Sequence, residues 1–236
     1  MKILAIDTSA TAASVCIAEE NKIIGEFYIN TALTHSQTLM PMTENLLTHT
    51  GTSVEELSAV AVNVGPGSFT GVRIGVAAAK GIAFAKDLPC VAVSTLESMA
   101  YNFSGGDCVV CACMDARCSQ IYNALFRAGG GRVERLCEDR ALAISDLKLE
   151  LTKYSEKVVL VGDGAALCYK ALAETLSGVS LAPMNIQVQN AASVACAAFK
   201  SISEGKTVSA SELMPAYLRL PQAQRELNKR MGERKE

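Results

Sequence analysis

The segment Lys2–Ser9 (KILAIDTS) decides the fold. It opens with an apolar run, without the alternation of a strand exposed to water on one face, and the acidic residue Asp7 follows directly. Such a run is typical of a strand covered on both faces of its sheet. Two more strand-like segments follow after short polar turns, at Ala13–Ala18 (ASVCIA) and Ile23–Ile29. We therefore expect the chain to begin with a three-stranded meander.

The rest of the first half predicts helices and strands in alternation. The predicted segments are a helix at Ser36–His49, a strand at Leu57–Val64, a helix at Val72–Ala85, a strand at Cys90–Val93 and a helix that begins at Thr95. Gly51 ends the first of these helices, because glycine commonly follows a helix C-terminus. The loop before the second helix contains three glycines, which adopt conformations that other residues avoid.

The pattern begins again near residue 103. Val109–Met114 is a second apolar run that ends at an acidic residue, Asp115, as the first run ends at Asp7. The following segments repeat the earlier order, with strands at Gln120–Phe126 and Arg132–Leu136, a helix at Ser145–Lys153, a strand at Lys157–Val161, and helices at Ala165–Leu176 and Ala191–Ser203. We expect an α/β protein with mixed sheets flanked by helices. Its predicted parts are lobe I (1–102), lobe II (103–205) and a C-terminal tail (206–236).

Two lobes that each begin with a strand, an acidic residue and a hairpin resemble the actin/Hsp70/sugar-kinase (ASKHA) superfamily, in which a ribonuclease H-like motif is duplicated. In that superfamily, the phosphates of a nucleotide lie against the hairpin loops that follow the two leading strands. The order of the elements indicates the fold, whereas the function has to be argued from the site.

The composition excludes several classes of protein. Of the 236 residues, 50% are hydrophobic and 19% are charged, which excludes intrinsic disorder. A net charge of −2 excludes a protein that binds nucleic acid alone through a basic face. No apolar run reaches the roughly 18–20 residues that cross a bilayer, and the start of the chain does not resemble a signal peptide. With nine cysteines, these features predict a cytoplasmic protein with no membrane partner.

Several cysteines cluster after residue 107, and a zinc site is one interpretation of them. Zinc takes four ligands, and neither a second CxxC nor a pair of histidines accompanies this cluster. On a strand, Cys111 and Cys113 share a face that Cys108 does not share. We therefore interpret these cysteines as small core residues.

Five short motifs identify a family. They are Asp7-Thr8-Ser9, His35-Ser36, Gly65–Arg73 (GPGSFTGVR), Asp115-Ala116-Arg117 and Pro215–Arg219 (PAYLR). In this order and spacing they resemble the TsaB (YeaZ) family over essentially the whole chain. The resemblance implies an accessory, non-catalytic subunit that binds and stabilises TsaD, the enzyme that forms N6-threonylcarbamoyladenosine at position 37 of tRNAs reading ANN codons. It also implies TsaE as an ATPase partner and contact with tRNA only through the complex.

The resemblance also implies where TsaD holds its metal, namely in an H-x-E-x-H-like run. The corresponding positions here are Thr95, Glu97 and Met99, so only the glutamate is present. A hydroxyl and a thioether do not replace two imidazoles as metal ligands. We predict no metal site and no catalytic residue, and the same substitutions count against a metallopeptidase of the M22 type.

The two hairpin loops predict at most degenerate nucleotide binding. Backbone N–H groups that approach a phosphate closely usually need glycine or small hydroxylated residues, and neither loop contains glycine. The residues that could bind a nucleotide are Asp7, Thr8, Ser9, Thr11, Asp115 and Arg117. We expect that no cofactor is required, with weak ATP or ADP binding at a shared interface as an alternative. The alternative function is an ATPase or phosphotransferase that acts alone.

The helix Val72–Ala85 indicates a partner. Its only charges are Arg73 and Lys80, and it is small or apolar on nearly every side, so we expect something to cover its second face. Cover within the chain is the alternative. The family resemblance favours helix packing against TsaD or a second copy of this chain. The predicted contact residues are Leu39, Met42, Leu46, Val72, Arg73, Val76 and Lys80.

The segment Arg219–Glu236 alternates charges and predicts a solvated helix or a frayed tail. Its basic residues Arg225, Lys229 and Arg230 could contact tRNA or a third subunit.

Overall fold

A five-stranded mixed sheet forms lobe I of the computed structural model, which describes residues 1–31, 33–117 and 119–219. Its strands are β1 (Lys2–Asp7), β2 (Ala13–Glu19), β3 (Lys22–Ile29), β4 (Ala59–Gly65) and β5 (Cys90–Ser94), in the order β3-β2-β1-β4-β5. The meander β1-β2-β3 is antiparallel, and β4 and β5 add parallel to β1. Because β1 is central, both of its faces are covered and its side chains are buried from Ile3 onward.

Helices cover both faces of this sheet. On one face, α1 (His35–Thr50) and α2 (Phe69–Phe84) pack against a core that includes Leu4 and Ile6. On the other face, α6 (Ala191–Ser203) packs against Ile3 and Ala5. Alternate residues of β1 therefore supply two different cores, as the period of a strand requires.

Lobe II repeats this plan. Its strands are β6 (Asp107–Asp115), β7 (Gln120–Gly129), β8 (Arg132–Arg135), β9 (Arg140–Ala143), β10 (Val158–Val161) and β11 (Val179–Leu181). The sheet order is β11-β10-β6-β7-β8, and β9 pairs with β7 beside β8. One face packs against α4 (Ile144–Leu151) and α5 (Ala165–Leu172), and the other against α3 (Thr95–Tyr101). Short 3-10 helices lie at Val54–Glu56 and Met184–Ile186.

The two lobes exchange helices across their junction. Helix α3 follows a strand of the first sheet but packs on the second sheet, whereas α6 ends the second repeat but packs on the first sheet. The two helices also pack against each other between the sheets. The predicted boundary near residue 102 therefore separates the sheets and not the helices that cover them.

The start of the predicted C-terminal tail belongs to lobe I. Val208 bridges to Cys90 of β5, and Leu213 is 1% exposed in the core below α2. We call residues 206–219 the C-terminal strap. The tail prediction is corrected for these residues, because their apolar side chains fill the first core. The rest of the predicted tail, with Arg225, Lys229 and Arg230, lies outside the described residues.

The predicted α/β fold of two lobes with mixed sheets flanked by helices is confirmed. The differences are local. Helix α2 begins at Phe69 instead of Val72, α5 ends at Leu172 instead of Leu176, and the short strands β9 and β11 were not predicted.

Candidate functional site at the junction of the lobes

A cavity of about 420 Å³ lies between the lobes, at the carboxyl ends of the leading strands. Loops that follow β1, β4, β6 and β10 line it, through residues that include Ser9, Ser68, Asp115 and Asp163. Ligands of α/β proteins commonly bind in the crevice beyond the carboxyl ends of parallel strands. This junction is therefore the first candidate for a functional site.

The first loop, residues 8–12 between β1 and β2, is held by hydrogen bonds that include those of Asp7 at the end of β1. The Asp7 carboxylate accepts hydrogen bonds at Oδ1 from the Ser9 backbone N–H (3.1 Å), the Ser9 hydroxyl (2.7 Å) and the Asn63 amide (2.8 Å). The Thr8 hydroxyl donates to the carbonyl of Gly71 at 2.8 Å. Asp7 is completely buried, and this loss of solvent raises the pKa of its carboxyl against the lowering effect of the hydrogen bonds.

The glycine-rich loop before α2 packs directly on the first loop. Its Ser68 N–H donates to the Ser9 carbonyl at 2.7 Å. A Cβ at Gly67 would collide with the Ser9 carbonyl oxygen, and a Cβ at Gly71 would collide with that of Thr8. The glycines of GPGSFTGVR therefore serve close packing of two backbones. His35 at the start of α1 adds to this junction, because its Nε2 lies 2.7 Å from the Ala10 carbonyl oxygen.

The second loop, which joins β6 to β7, faces the cavity from lobe II. The Arg117 backbone N–H donates to Asp115 Oδ1 at 2.7 Å, and the Asp115 N–H donates to Asp163 Oδ1 at 3.2 Å. Partial desolvation raises the pKa of Asp163, and the neighbouring negative charge of Asp115 adds to this effect. The Arg117 side chain is 82% exposed and pairs with Asp115 at 3.6 Å.

The C-terminal strap crosses the mouth of the cavity. The Tyr217 ring lies 5.0 Å from that of Phe69, and its hydroxyl accepts a hydrogen bond from Arg73 Nε at 2.7 Å. Arg219 then donates to the carbonyl of Ala116 in lobe II at 3.0 Å. PAYLR therefore ties lobe I to lobe II. The motif was recognised in the sequence without this role, because an irregular segment gives no period from which its contacts could be inferred.

Five of the seven predicted partner residues are buried in lobe I itself. They are at most 4% exposed and pack below α1 and α2, as Leu39, Met42, Leu46, Val72 and Val76. This burial corrects the prediction for these five side chains, because the chain's own core covers them. Arg73 and Lys80 differ: the first stacks on Phe69 at 3.9 Å, and the second donates to strap carbonyls at 3.1 Å.

One side of α2 is not buried in the core of lobe I and carries a stripe of residues along the helix. Residues at alternating spacings of four and three are exposed or half-buried, namely Thr70, Ile74, Ala77, Gly81 and Phe84. We call these five residues the outer stripe. It contains no charged residue, and Phe84 is 80% exposed. Apolar residues at this spacing form the seam by which helices pack together.

The positions that correspond to the TsaD histidines lie in the interior. Thr95 and Met99 are completely buried, and Met99 packs in the core between α3 and the second sheet. Glu97 pairs with Arg135 at 2.9 Å. Within residues 1–31, 33–117 and 119–219, no three His, Cys, Asp or Glu side chains come together as a metal-binding group.

The predicted nucleotide residues fit a phosphate poorly. Thr8 and Ser9 are completely buried, and their hydroxyls donate to Gly71 and Asp7 within the chain. Only Thr11, Asp115 and Arg117 of the predicted set face the cavity with side chains outside the interior. The first loop would hold phosphates in an actin-like ATPase. Here its hydroxyl groups donate hydrogen bonds within the chain instead.

Two lobes around a cleft, each with a leading strand that ends in an aspartate, define the actin-like (ASKHA) class of folds. A structure of EutJ from Carboxydothermus hydrogenoformans matches the fold alone, with a TM-score of 0.52 at 10% identity over 84% of this chain and 90% of that one. No helix of the described residues has the length and apolar character of a membrane span.

Comparison with relatives narrows this class to one family. TsaB from Bacillus subtilis (strain 168) is 33% identical over 95% of this chain and 96% of its own length, and TsaB from Escherichia coli (strain K12) is 34% identical over 93% and 95%. YeaZ from Pseudomonas aeruginosa has a TM-score of 0.79 at 26% identity, over 92% of this chain and 99% of that one. A family model described as TsaD, tRNA N6-adenosine threonylcarbamoyltransferase, matches residues 23–227. The chain belongs to the TsaB (YeaZ) family, and its role lies in the biosynthesis of threonylcarbamoyladenosine in tRNA.

Proposed function

We propose that this chain is a non-catalytic scaffold subunit, which binds and stabilises TsaD in the complex that forms N6-threonylcarbamoyladenosine at position 37 of tRNAs reading ANN codons. The observation that carries the proposal is the outer stripe of α2. An uncharged stripe on a helix of 16 residues, ending in an 80% exposed phenylalanine, is typical of an interaction surface.

The stripe suits a partner helix for two reasons. Ala77 and Gly81 lie at its centre and allow another backbone to approach closely, while Ile74 and Phe84 supply apolar area on either side. The strap holds Arg73 and Lys80 along one flank through its hydrogen bonds. This gives the uncharged centre and polar edge that protein interfaces commonly have.

Other members of the complex follow from the same proposal. A second copy of this chain would compete with TsaD for the outer stripe, so a homodimer and the heterodimer would exclude each other. TsaE would join the assembled complex. The tRNA would bind through the complex as well, because a net charge of −2 does not favour binding of tRNA by this chain alone. We place this work in the cytoplasm.

The two enzymatic alternatives have less support. An ATPase or phosphotransferase would need donors at the first loop, where the hydroxyls of Thr8 and Ser9 are already engaged. A peptidase of the M22 type would need ligands at Thr95 and Met99, which are buried in the interior. We therefore propose weak ATP or ADP binding only at an interface shared with the partner. Thr11, Asp115 and Arg117 face the cavity there.

The test is binding of the full chain to purified TsaD after Ala77→Glu. A charge at the centre of the seam is expected to weaken binding by at least about 100-fold, because the glutamate would be buried without a partner. The matched control is Leu149→Glu, which places the same charge at an exposed apolar position on α4 of lobe II. Wild-type affinity of the Ala77→Glu chain, with its fold confirmed by circular dichroism, would overturn the proposal.

A further inference from the structure

Five polar side chains form a buried cluster beneath the junction of the lobes. They come from the end of β1, the first loop, β4, α3 and the segment before α6, as Asp7, Ser9, Asn63, Ser98 and Gln189, and all are completely buried. Asn63 Nδ2 donates to Asp7 at 2.8 Å and to the Ser98 hydroxyl at 3.1 Å, and Gln189 Nε2 lies 3.5 Å from the Ser9 hydroxyl. The cluster is therefore continuous.

Three oxygen atoms of this cluster lack a hydrogen-bond donor in the described part of the chain. They are Asp7 Oδ2, Asn63 Oδ1 and Gln189 Oε1, one from a carboxylate and two from amides. A buried acceptor without a donor destabilises the folded state, and native proteins have few of them. This cluster therefore brings together three buried acceptor oxygens that the described residues leave available to a ligand.

We propose that these oxygens bind an alkali-metal cation. All three are hard ligands of the kind that Na⁺, K⁺, Mg²⁺ and Ca²⁺ prefer. The carboxylate carries a single negative charge, so a monovalent cation leaves the buried site neutral, whereas a divalent cation would leave an uncompensated charge in the interior. No basic side chain of residues 1–31, 33–117 and 119–219 forms an ion pair with Asp7, and His35 acts on it only through space.

Cavities lie next to the cluster at two of its residues. Ser9 lines the cavity of about 420 Å³, and Gln189 lines a second cavity of about 190 Å³. Asp163 and Thr11 line both cavities. The cluster therefore adjoins two cavities, one at Ser9 and one at Gln189, and the carboxylate of Asp163 borders both of them.

The cation would link the elements at the centre of the molecule. Its ligands come from β1, β4 and the segment that leads into α6, which joins the two halves of the fold. It is thus a structural ion, and it does not depend on the proposed binding of TsaD. It would stabilise the folded chain by mass action, because the unfolded chain lacks the arrangement of ligands.

Thermal unfolding of the full chain in NaCl, KCl and choline chloride at equal ionic strength tests the proposal, since choline is too large to enter. The midpoint is expected to rise by about 3 °C in at least one alkali chloride relative to choline chloride. The Asp7→Asn chain is expected to show no such rise. Asp146→Asn, which changes an exposed carboxylate of α4, is the matched control and should retain it.

Gln189→Glu tests the proposal in the other direction, because it adds a carboxylate to the cluster instead of removing one. It decides the question even where Asp7→Asn fails to fold. A second carboxylate on a cation site is expected to enlarge the rise and to extend it to CaCl₂ or MgCl₂. Without a cation, the added buried charge would lower the midpoint equally in every salt. Equal midpoints of the wild-type chain in all three chlorides would overturn the proposal. So would a rise of the wild-type size in the midpoint of Asp7→Asn, or a midpoint of Gln189→Glu that falls equally in every salt.

Discussion

At the scale of single residues, two glycines of α2 have opposite environments. A Cβ at Gly71 would collide with the Thr8 carbonyl oxygen, so this position requires the absence of a side chain. A Cβ at Gly81 would meet no atom within 4 Å. The same residue type therefore serves close packing at one end of the helix and leaves an open surface near the other.

Alanine at these two positions is expected to change stability in opposite directions. Gly71→Ala should lower the free energy of unfolding by about 1–3 kcal/mol, because the first loop has to move away. Gly81→Ala should raise it by about 0.5–1 kcal/mol, because alanine favours a helix and has room here. Urea unfolding followed by circular dichroism measures both changes. Equal effects of the two substitutions would contradict this account.

The sequence predicted the position of a residue correctly where that position depends on the neighbouring residues in the chain. The Asp7-Thr8-Ser9 turn after β1 was correctly placed by the apolar run before it. The buried bonds of Asp7 to Asn63, and of Thr8 to Gly71, could not be predicted, because they join positions more than 50 residues apart. The predicted set for nucleotide binding included side chains that these contacts bury.

At the scale of elements, α2 has two stripes with the same spacing. The inner stripe consists of Val72, Val76, Ala79 and Ala83, and the outer stripe begins at Thr70. The sequence correctly indicates a helix that is apolar on two sides. It did not identify the covered side, because small residues occupy both stripes, although the bulkier valines of the inner stripe were a signal that it faces the core.

Two neighbouring substitutions on α2 distinguish the stripes. Val76→Glu is expected to unfold the chain, because it places a charge in the core of lobe I, where the side chain is 4% exposed. Ala77→Glu should change the free energy of unfolding by no more than about 0.5 kcal/mol, since its side chain points to solvent in the free chain. Thermal unfolding checks both. A folded Val76→Glu chain would show that the core below α2 is misplaced.

The strap offers a second comparison between neighbours. Leu213 is 1% exposed in the core of lobe I, and Met214 next to it is 64% exposed. Leu213→Ala is expected to cost about 2–5 kcal/mol through the cavity it leaves, and Met214→Ala about 0.5 kcal/mol or less. Denaturant midpoints of the two chains give the difference. If the strap packs loosely, the two costs will be similar.

Short irregular elements were the part of the fold that sequence patterns could not supply. Strands β9 and β11 have four and three residues, and neither is an uninterrupted apolar run like β10. The strap has no period at all, and its contacts with Phe69 and Ala116 depend on the packing of both lobes. Long apolar strands and helices, in contrast, were predicted to within a few residues.

At the scale of the whole molecule, the exchange of α3 and α6 couples the lobes. Each sheet is covered on one face by a helix whose sequence belongs to the other repeat. The duplicated pattern predicted two units in sequence, and it could not show that their covering helices cross over. Neither sheet can therefore keep its core when the other unfolds.

We expect one cooperative unfolding transition for the whole chain. Loss of either lobe removes a helix from the other and exposes an apolar sheet face, so no half-folded state is stable. Urea unfolding followed by circular dichroism should coincide with hydrogen exchange of both sheets measured by mass spectrometry. Two separated transitions, one for each sheet, would contradict the coupling.

The crossed helices also determine what happens if the chain is cut. Gly105 lies in an exposed connection between α3 and β6, where an added Cβ would meet no atom within 4 Å. A protease nick at this point would leave two fragments, each holding a helix that its counterpart needs, so the fragments would stay together as a non-covalent pair. Co-expressed as separate pieces, they would reassemble, and neither fragment would fold by itself.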